Sequence, residues 1–189
     1  NMLTIGLAML QGARHEHMHA LNKAASILNL EIEIRELRKS SDIEGIDAIV
    51  LPGGESTAMK IASKSEELYS GIWNCLQNDN IPVLGTCAGA ILLSNSGLID
   101  AQIQRNAFGR QKDSFQSKIK INISGDDEFP GVFIRAPRFV GDYANAIAWL
   151  DEEAVGILEG NRMALTFHPE LTDDLRFHTW LLEQARSND

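Results

Sequence analysis

Short apolar runs alternate with amphipathic stretches through the first half of the chain. The runs predict buried strands, whereas the amphipathic stretches predict helices because their apolar residues recur every three or four positions. The predicted strands are residues 3–10, 31–37, 46–51 and 81–84, and the predicted helices are residues 17–30, 57–63 and 67–77. Residues 31–37 (EIEIREL) alternate apolar and charged side chains, which is typical of a strand near a sheet edge. This strand–helix rhythm predicts a largely parallel sheet covered by helices on both faces.

The second half of the chain predicts more strands joined by tight turns. Residues 116–124 (QSKIKINIS) alternate with a period of two, and further apolar runs occur at 131–135, 144–150, 154–158 and 162–167. Residues 175–185 predict a closing amphipathic helix. Its expected inward residues are Leu175, Trp180, Leu181 and Leu182. The expected fold is therefore a three-layer α/β domain over residues 1–189, with a mostly parallel, flavodoxin-like central sheet and antiparallel additions.

Composition and charge exclude several classes of function. The 189 residues carry a formal net charge of −9, which disfavours unassisted binding to nucleic acid or to an acidic membrane. There is no run long enough to cross a bilayer, and the first residues lack the pattern of a secretion signal. Two cysteines are too few for a disulfide framework and indicate a reducing cytoplasm.

A cysteine turn is the strongest candidate for chemistry. Residues 85–89 (GTCAG) follow an apolar run and precede another, which is the strand–turn–helix context of a nucleophile elbow. Glycine is needed on both sides of Cys87 because a Cβ would collide in so tight a bend. The helix N-terminus favours a thiolate, and the N–H of Ala88 points to where an oxyanion would form. The alternative, a buried and inert cysteine, is our interpretation of Cys75, which lies in a helical pattern.

A histidine far along the chain supplies a candidate base. His168 follows a predicted strand in the stretch 166–170 (TFHPE), and Glu170 lies two residues further on, where its carboxylate can orient the imidazole. Taken alone, a strand-end histidine that caps a loop is at least as plausible. Beside an elbow cysteine, the interpretation shifts to a catalytic base.

The other histidines are weaker candidates. His15, His17 and His19 suggest a metal site, but only His15 and His19 share a helix face, and no cysteine or acidic pair completes a tetrahedral set. We therefore expect neither a metal nor another cofactor. His178, in the last predicted helix, is interpreted as a surface or packing residue.

The cysteine turn and the FHPE stretch together resemble the class I, or triad, glutamine amidotransferases. Four further stretches narrow the resemblance to the glutaminase subunits of pyridoxal 5′-phosphate synthase. They are residues 10–13 (LQGA) with Glu16 and His17, 51–57 (LPGGEST), 105–111 (RNAFGRQ) with 114–115 (SF), and 133–137 (FIRAP). The match runs in order from about Met2 to the last predicted helix.

This resemblance implies hydrolysis of L-glutamine to glutamate and ammonia, which passes to a synthase subunit that builds vitamin B6. It implies that Cys87 is the nucleophile, His168 the general base and acid, and Glu170 the residue that orients His168. It also implies that Gln11 and Gly12 join Ala88 in the oxyanion hole once the synthase docks. The implied glutamine-binding residues are Gly54, Glu55, Ser56, Arg105, Ile134 and Arg135. Without the resemblance, residues 55–57 would simply cap a helix.

Three other functions remain open at this stage. One is a triad glutaminase that serves another enzyme, such as imidazole glycerol phosphate synthase, although residues 105–111 and 133–137 argue against it. A second is a cysteine hydrolase or chaperone-like protein that shares the elbow but not the glutamine pocket. The third is a glutamine-sensing or scaffold protein without catalysis, which loss of Cys87, His168 or Glu170 would have signalled.

Overall fold

The core of the fold is a nine-stranded mixed sheet. The computed structural model describes residues 2–8, 14–53, 66–105 and 114–188. The strands are β1 (Leu3–Ala8), β2 (Ile32–Leu37), β3 (Ala48–Leu51), β4 (Val83–Thr86), β5 (Gln102–Gln104), β6 (Ser114–Ile121), β7 (Glu128–Ile134), β8 (Arg138–Val140), β9 (Ala146–Leu150), β10 (Glu153–Glu159) and β11 (Arg162–Leu165). The large sheet has the order β2-β1-β3-β4-β11-β10-β9-β6-β7. Its first five strands are mutually parallel, and each later pair is antiparallel.

Helices cover both faces of this sheet. The described α-helices are α1 (Arg14–Leu28), α2 (Glu66–Asn78), α3 (Ala88–Asn95) and α4 (Arg176–Ser187). Helices α1 and α4 pack into one hydrophobic cluster, and α2 and α3 pack into the other. Strand β3 shows the division clearly, because Val50 belongs to the first cluster while Ile49 and Leu51 belong to the second. This alternation follows from the two-residue period of a strand.

The antiparallel half of the sheet ends in β7, which is an edge strand. Its sequence (EFPGVFI) contains Pro130, and an edge position tolerates a residue that has no backbone N–H. We predicted this strand to start at Gly131, but it starts three residues earlier. Strands β5 and β8 form a separate two-stranded sheet that the sequence patterns did not predict. Each has three residues, too few to establish an alternating pattern.

The predicted three-layer α/β fold is confirmed. Strand β2 lies at the other edge of the large sheet, as the alternation in residues 31–37 indicated. The helix predicted at 57–63 lies outside the described residues. In α4, Leu181 and Leu182 are fully buried as expected, whereas Leu175 and Trp180 are only partly buried. None of the helices in the described ranges has the length and apolar character that a membrane span requires.

Candidate functional site

Cys87 occupies a strained turn between β4 and α3. Its backbone has φ 54° and ψ −110°, and a non-glycine residue adopts a positive φ of this kind only when its surroundings enforce it. The glycines on either side show how tight the bend is. A Cβ on Gly85 would lie 2.9 Å from the Gly89 carbonyl oxygen, and a Cβ on Gly89 would lie 1.9 Å from the Leu51 oxygen. The turn therefore has the predicted elbow geometry.

The sheet brings His168 next to this turn. Strands β4 and β11 are parallel neighbours, with Thr86 opposite Leu165, so the residues that follow them leave the sheet at the same edge. The Cys87 N–H donates to the Leu165 carbonyl at 2.8 Å. The His168 N–H donates to the Val132 carbonyl of β7, also at 2.8 Å. Ligands and reactive groups of open α/β sheets collect at this edge.

The His168 ring lies beside Cys87 and is hydrogen-bonded to Glu170. Its Nδ1–H donates to Glu170 Oε2 at 2.7 Å, and both side chains are largely buried. Burial lowers the pKa of His168, but hydrogen bonds with Cys87 and Glu170 outweigh burial and raise this pKa to about 10. His168 is therefore a cation at neutral pH, and a cation beside the sulfur stabilises negative charge on it.

Ala88 is the first residue of α3, where a backbone N–H has no acceptor within the helix. This N–H lies directly after Cys87 and is the described part of the expected oxyanion hole. The other two expected members, Gln11 and Gly12, lie outside the described residues.

The expected glutamine-binding residues are only partly described. Ile134 ends β7, and its carbonyl oxygen lies 3.8 Å from Cys87 Sγ. The exposed Arg135 follows with φ 44°, so the chain turns sharply beside the cysteine. Arg105 is also exposed and directly follows β5. Strand β5 belongs to the two-stranded sheet, not to the large one. Gly54, Glu55 and Ser56 lie outside the described residues.

Gly53 packs against the cysteine and the histidine at once. A Cβ at this position would lie 2.5 Å from Cys87 Cβ, 3.0 Å from His168 Cε1 and 3.1 Å from the Thr86 oxygen. The resemblance implied that Gly54 binds glutamine, but nothing in the sequence predicted that the preceding Gly53 would pack against both side chains. The absent side chain of Gly53 is what lets the two groups approach each other.

Gly53→Ala is therefore expected to push Cys87 and His168 apart. Catalytic groups displaced by about 1 Å commonly lose on the order of 10²-fold in rate, and we expect a loss of this size in the hydrolysis of glutamine that the sequence resemblance implies. The assay is ammonia release, with thermal unfolding measured in parallel. Gly71→Ala is the matched control, because its new Cβ meets only the flexible end of Ile43. Full activity in Gly53→Ala would show that the close packing is dispensable.

Two histidines near Glu170 were not predicted as site residues. His17 of α1 and His178 of α4 are both fully buried, and His17 Nδ1 lies 3.0 Å from His178 Nε2. Of the two interpretations of His178, a surface residue or a packing residue, the second is correct, because its side chain is fully buried. The sequence could have predicted that His17 is buried, because it precedes Leu21 by one turn on the apolar face of its helix. His15 and His19 are exposed, so the three histidines do not converge.

The fold and site together define an α/β protein with a cysteine at a nucleophile elbow and a histidine–carboxylate pair beside it. The model of the SNO glutamine amidotransferase family matches residues 7–187. The chain belongs to this family.

Individual relatives and structures agree with this assignment. The chain is 42% identical over 198 aligned positions to pyridoxal 5′-phosphate synthase subunit PdxT of Thermococcus onnurineus, covering 97% of this chain and 100% of that protein. It is 39% identical to the protein of the same name from Methanobrevibacter smithii, covering 97% of each. A crystal structure described as a glutamine amidotransferase superposes with a TM-score of 0.81 at 35% identity, covering 96% of this chain and 98% of that one.

Proposed function

We propose that this protein is the glutaminase subunit of a pyridoxal 5′-phosphate synthase. It hydrolyses L-glutamine to L-glutamate and ammonia and delivers the ammonia to a synthase subunit. The observation that carries the proposal is a strained elbow cysteine that lies beside a buried His168–Glu170 pair, in a chain of the glutamine amidotransferase family. The relatives named as synthase subunits support the choice of partner.

The chemistry follows from the positions of three side chains. His168 already holds the proton that the Cys87 thiol gives up, so the sulfur attacks the side-chain amide carbon of glutamine as a thiolate beside the imidazolium. The resulting oxyanion accepts a hydrogen bond from the Ala88 N–H, with Gln11 and Gly12 proposed as further donors. His168 returns the proton to the departing nitrogen, so that ammonia leaves and a thioester remains. Water, deprotonated by His168, then hydrolyses the thioester and releases glutamate.

Glu170 orients His168 throughout this cycle. Its Oε2 accepts the Nδ1–H, which leaves the opposite ring nitrogen to exchange a proton with sulfur, leaving group and water. Substrate recognition is assigned to Glu55 and Arg135, whose opposite charges suit the ammonium and carboxylate of glutamine. Gly54, Ser56, Arg105 and Ile134 complete the proposed pocket.

We further propose that residues 1–189 form one domain and that the protein works in the cytoplasm. One sheet that joins β2 to β7 supports the first point, because its strands come from both halves of the chain. Two cysteines that form no disulfide, Cys75 and Cys87, suit a reducing compartment.

Ammonia release from glutamine tests the function directly. We expect slow turnover by the isolated chain and an increase of at least about tenfold when the pyridoxal phosphate synthase subunit is added, since a single oxyanion-hole donor is worth about 10²–10³-fold. Imidazole glycerol phosphate synthase serves as the comparison partner and should give no increase. The coupled complex should also make pyridoxal phosphate from glutamine without added ammonia. No ammonia release with either partner would contradict the glutaminase assignment.

A further inference from the structure

A chain of buried polar groups continues beyond the triad into the helical layer. His17 Nε2 lies 3.4 Å from Glu170 Oε1, and His17 Nδ1 lies 3.0 Å from His178 Nε2. His17 and His178 come from α1 and α4, which pack on the same face of the sheet. The line of contacts therefore runs from Cys87 through His168 and Glu170 to two histidines that the reaction itself does not use.

One oxygen of the Glu170 carboxylate can obtain a hydrogen-bond donor from His17. Oε2 accepts the His168 proton, but Oε1 is buried and has no hydrogen-bond partner among the described residues. A buried carboxylate oxygen without a donor destabilises the folded state, because no hydrogen bond offsets the loss of water around it. The His17 nitrogen is a few tenths of an ångström beyond ordinary hydrogen-bond length. A small movement of either side chain would complete the bond.

The hydrogen positions follow from the surrounding atoms. If His17 carries its proton on Nε2, it donates towards Glu170, while Nδ1 accepts the Nε2–H of His178. His178 Nδ1, a buried atom with no partner in the described structure, is then a bare acceptor. The opposite tautomer would turn the His17 lone pair towards a carboxylate and bury an unpaired N–H on His178. The first arrangement is favoured because it avoids both the repulsion between a lone pair and the carboxylate and the buried, unpaired N–H.

This arrangement requires the His17 and His178 rings to be neutral, and the pKa values of both are lowered. Burial, then the charges of His178 and His168, lower the pKa of His17 well below its ordinary value, and burial lowers the pKa of His178 to about 4. The groups that face His17 are Glu170 and His168 from the segment after β11, His178 from α4, and the uncharged Thr86. Thr86 Oγ1 lies 3.5 Å from His17 Nε2 and can share the Nε2–H with Glu170 Oε1, which lies 3.4 Å from the same nitrogen.

We propose that His17 is a positioning residue of the triad, whose Nε2–H holds Glu170 in the orientation that fixes His168. The expected change in kcat rests on the proposed function. The contacts among His17, Glu170 and His178 are independent of that function. The proposal gives α1 a role in the reaction, because this helix carries His17. The same helix starts at Arg14, two residues along the sequence from the expected oxyanion-hole residue Gly12.

Two substitutions at one position test the role of the donor. His17→Leu keeps much of the volume and removes the N–H, whereas His17→Gln keeps an amide N–H at similar reach. Positioning residues of this kind are typically worth about 10–100-fold, and we expect a loss of kcat in this range for His17→Leu in the synthase complex, with KM changed less than about threefold. His17→Gln should recover most of that loss. His19→Gln, an exposed position on the same helix, is the matched control and should retain wild-type kcat.

A readout that needs no glutamine separates this inference from the function itself. The alkylation rate of Cys87 by iodoacetamide and the pKa of His168 by NMR should both fall in His17→Leu and recover in His17→Gln. If the wild-type complex releases no ammonia, the function is wrong, and these two measurements still decide the role of His17. Wild-type alkylation and kcat in His17→Leu, or equal losses in both variants, would overturn the proposal.

Discussion

Replacing Cys87 by alanine is expected to reduce glutamine hydrolysis by the synthase complex at least about 10³-fold, because no thioester can form without the sulfur. Binding to the synthase should survive, since the substitution removes one nearly buried atom and leaves the backbone of the turn unchanged. The measurements are ammonia release at saturating glutamine and co-elution with the synthase subunit. Substantial turnover by Cys87→Ala would remove the nucleophile assignment.

Cys75 provides the matched control for this prediction. It is the other cysteine of the chain, lies in α2, and burial followed by the nearby Asp79 raises the pKa of its thiol to about 11. Cys75→Ala should therefore keep both the glutaminase activity and the iodoacetamide labelling seen at pH 7. Cys87→Ala should lose both. Labelling that follows Cys75 instead would show that the elbow sulfur is not the reactive thiol.

The same substitution should change how stability depends on pH. His168 has a pKa of about 10 in the folded chain and about 6.5 when unfolded. Its contribution to folding is therefore fully present below about pH 6.5 and is lost as the pH rises through 10. Without the Cys87 hydrogen bond the folded pKa of His168 is lower, so in Cys87→Ala the contribution should be smaller and its loss should be complete at a lower pH. Thermal unfolding between pH 6 and 11 measures the difference.

The sequence predicted those parts of the site that depend on local pattern. The elbow was predictable because an apolar strand, a glycine-flanked cysteine and an apolar helix occur in order within eleven residues. The proximity of His168 to Cys87 was expected because both residues follow predicted strands. We placed residues 162–167 among the antiparallel additions, whereas β11 runs parallel to β4. The proximity arises because β4 and β11 are neighbours, an arrangement that sequence patterns do not specify.

The parts that were missed depend on packing between distant segments. His17 and His178 are 161 positions apart, and their contact requires α1 and α4 to lie side by side. The packing of Gly53 against Cys87 and His168 likewise requires the end of β3 to lie beside two other strand ends. Strands β5 and β8 pair through backbone hydrogen bonds, and the exposed glutamines of β5 and the half-buried Arg138 of β8 carry little apolar signal. Such features depend on tertiary contacts rather than on periodicity.

Gly89→Ala is expected to have the largest effect on stability of any glycine substitution in the described helices. A Cβ there would lie 1.9 Å from the Leu51 carbonyl oxygen and 2.8 Å from the Leu51 carbonyl carbon. Both are backbone atoms of β3, a central strand, so the overlap cannot be relieved by turning a side chain. We expect a destabilisation of at least about 3 kcal/mol, the upper range for overpacked cores, measured by urea unfolding.

Gly71→Ala separates this clash from the ordinary effect of alanine in a helix. Both glycines lie in α-helices, but the new Cβ at Gly71 meets only Ile43 Cδ1, which can rotate away. Alanine exceeds glycine in helix propensity by up to about 1 kcal/mol, so Gly71→Ala should be neutral or stabilising. A small effect at Gly89 would show that α3 can move away from β3, and then the bend that presents Cys87 would not be fixed by this contact. A large loss at Gly89 alone would show that α3 must touch β3 for the elbow to form.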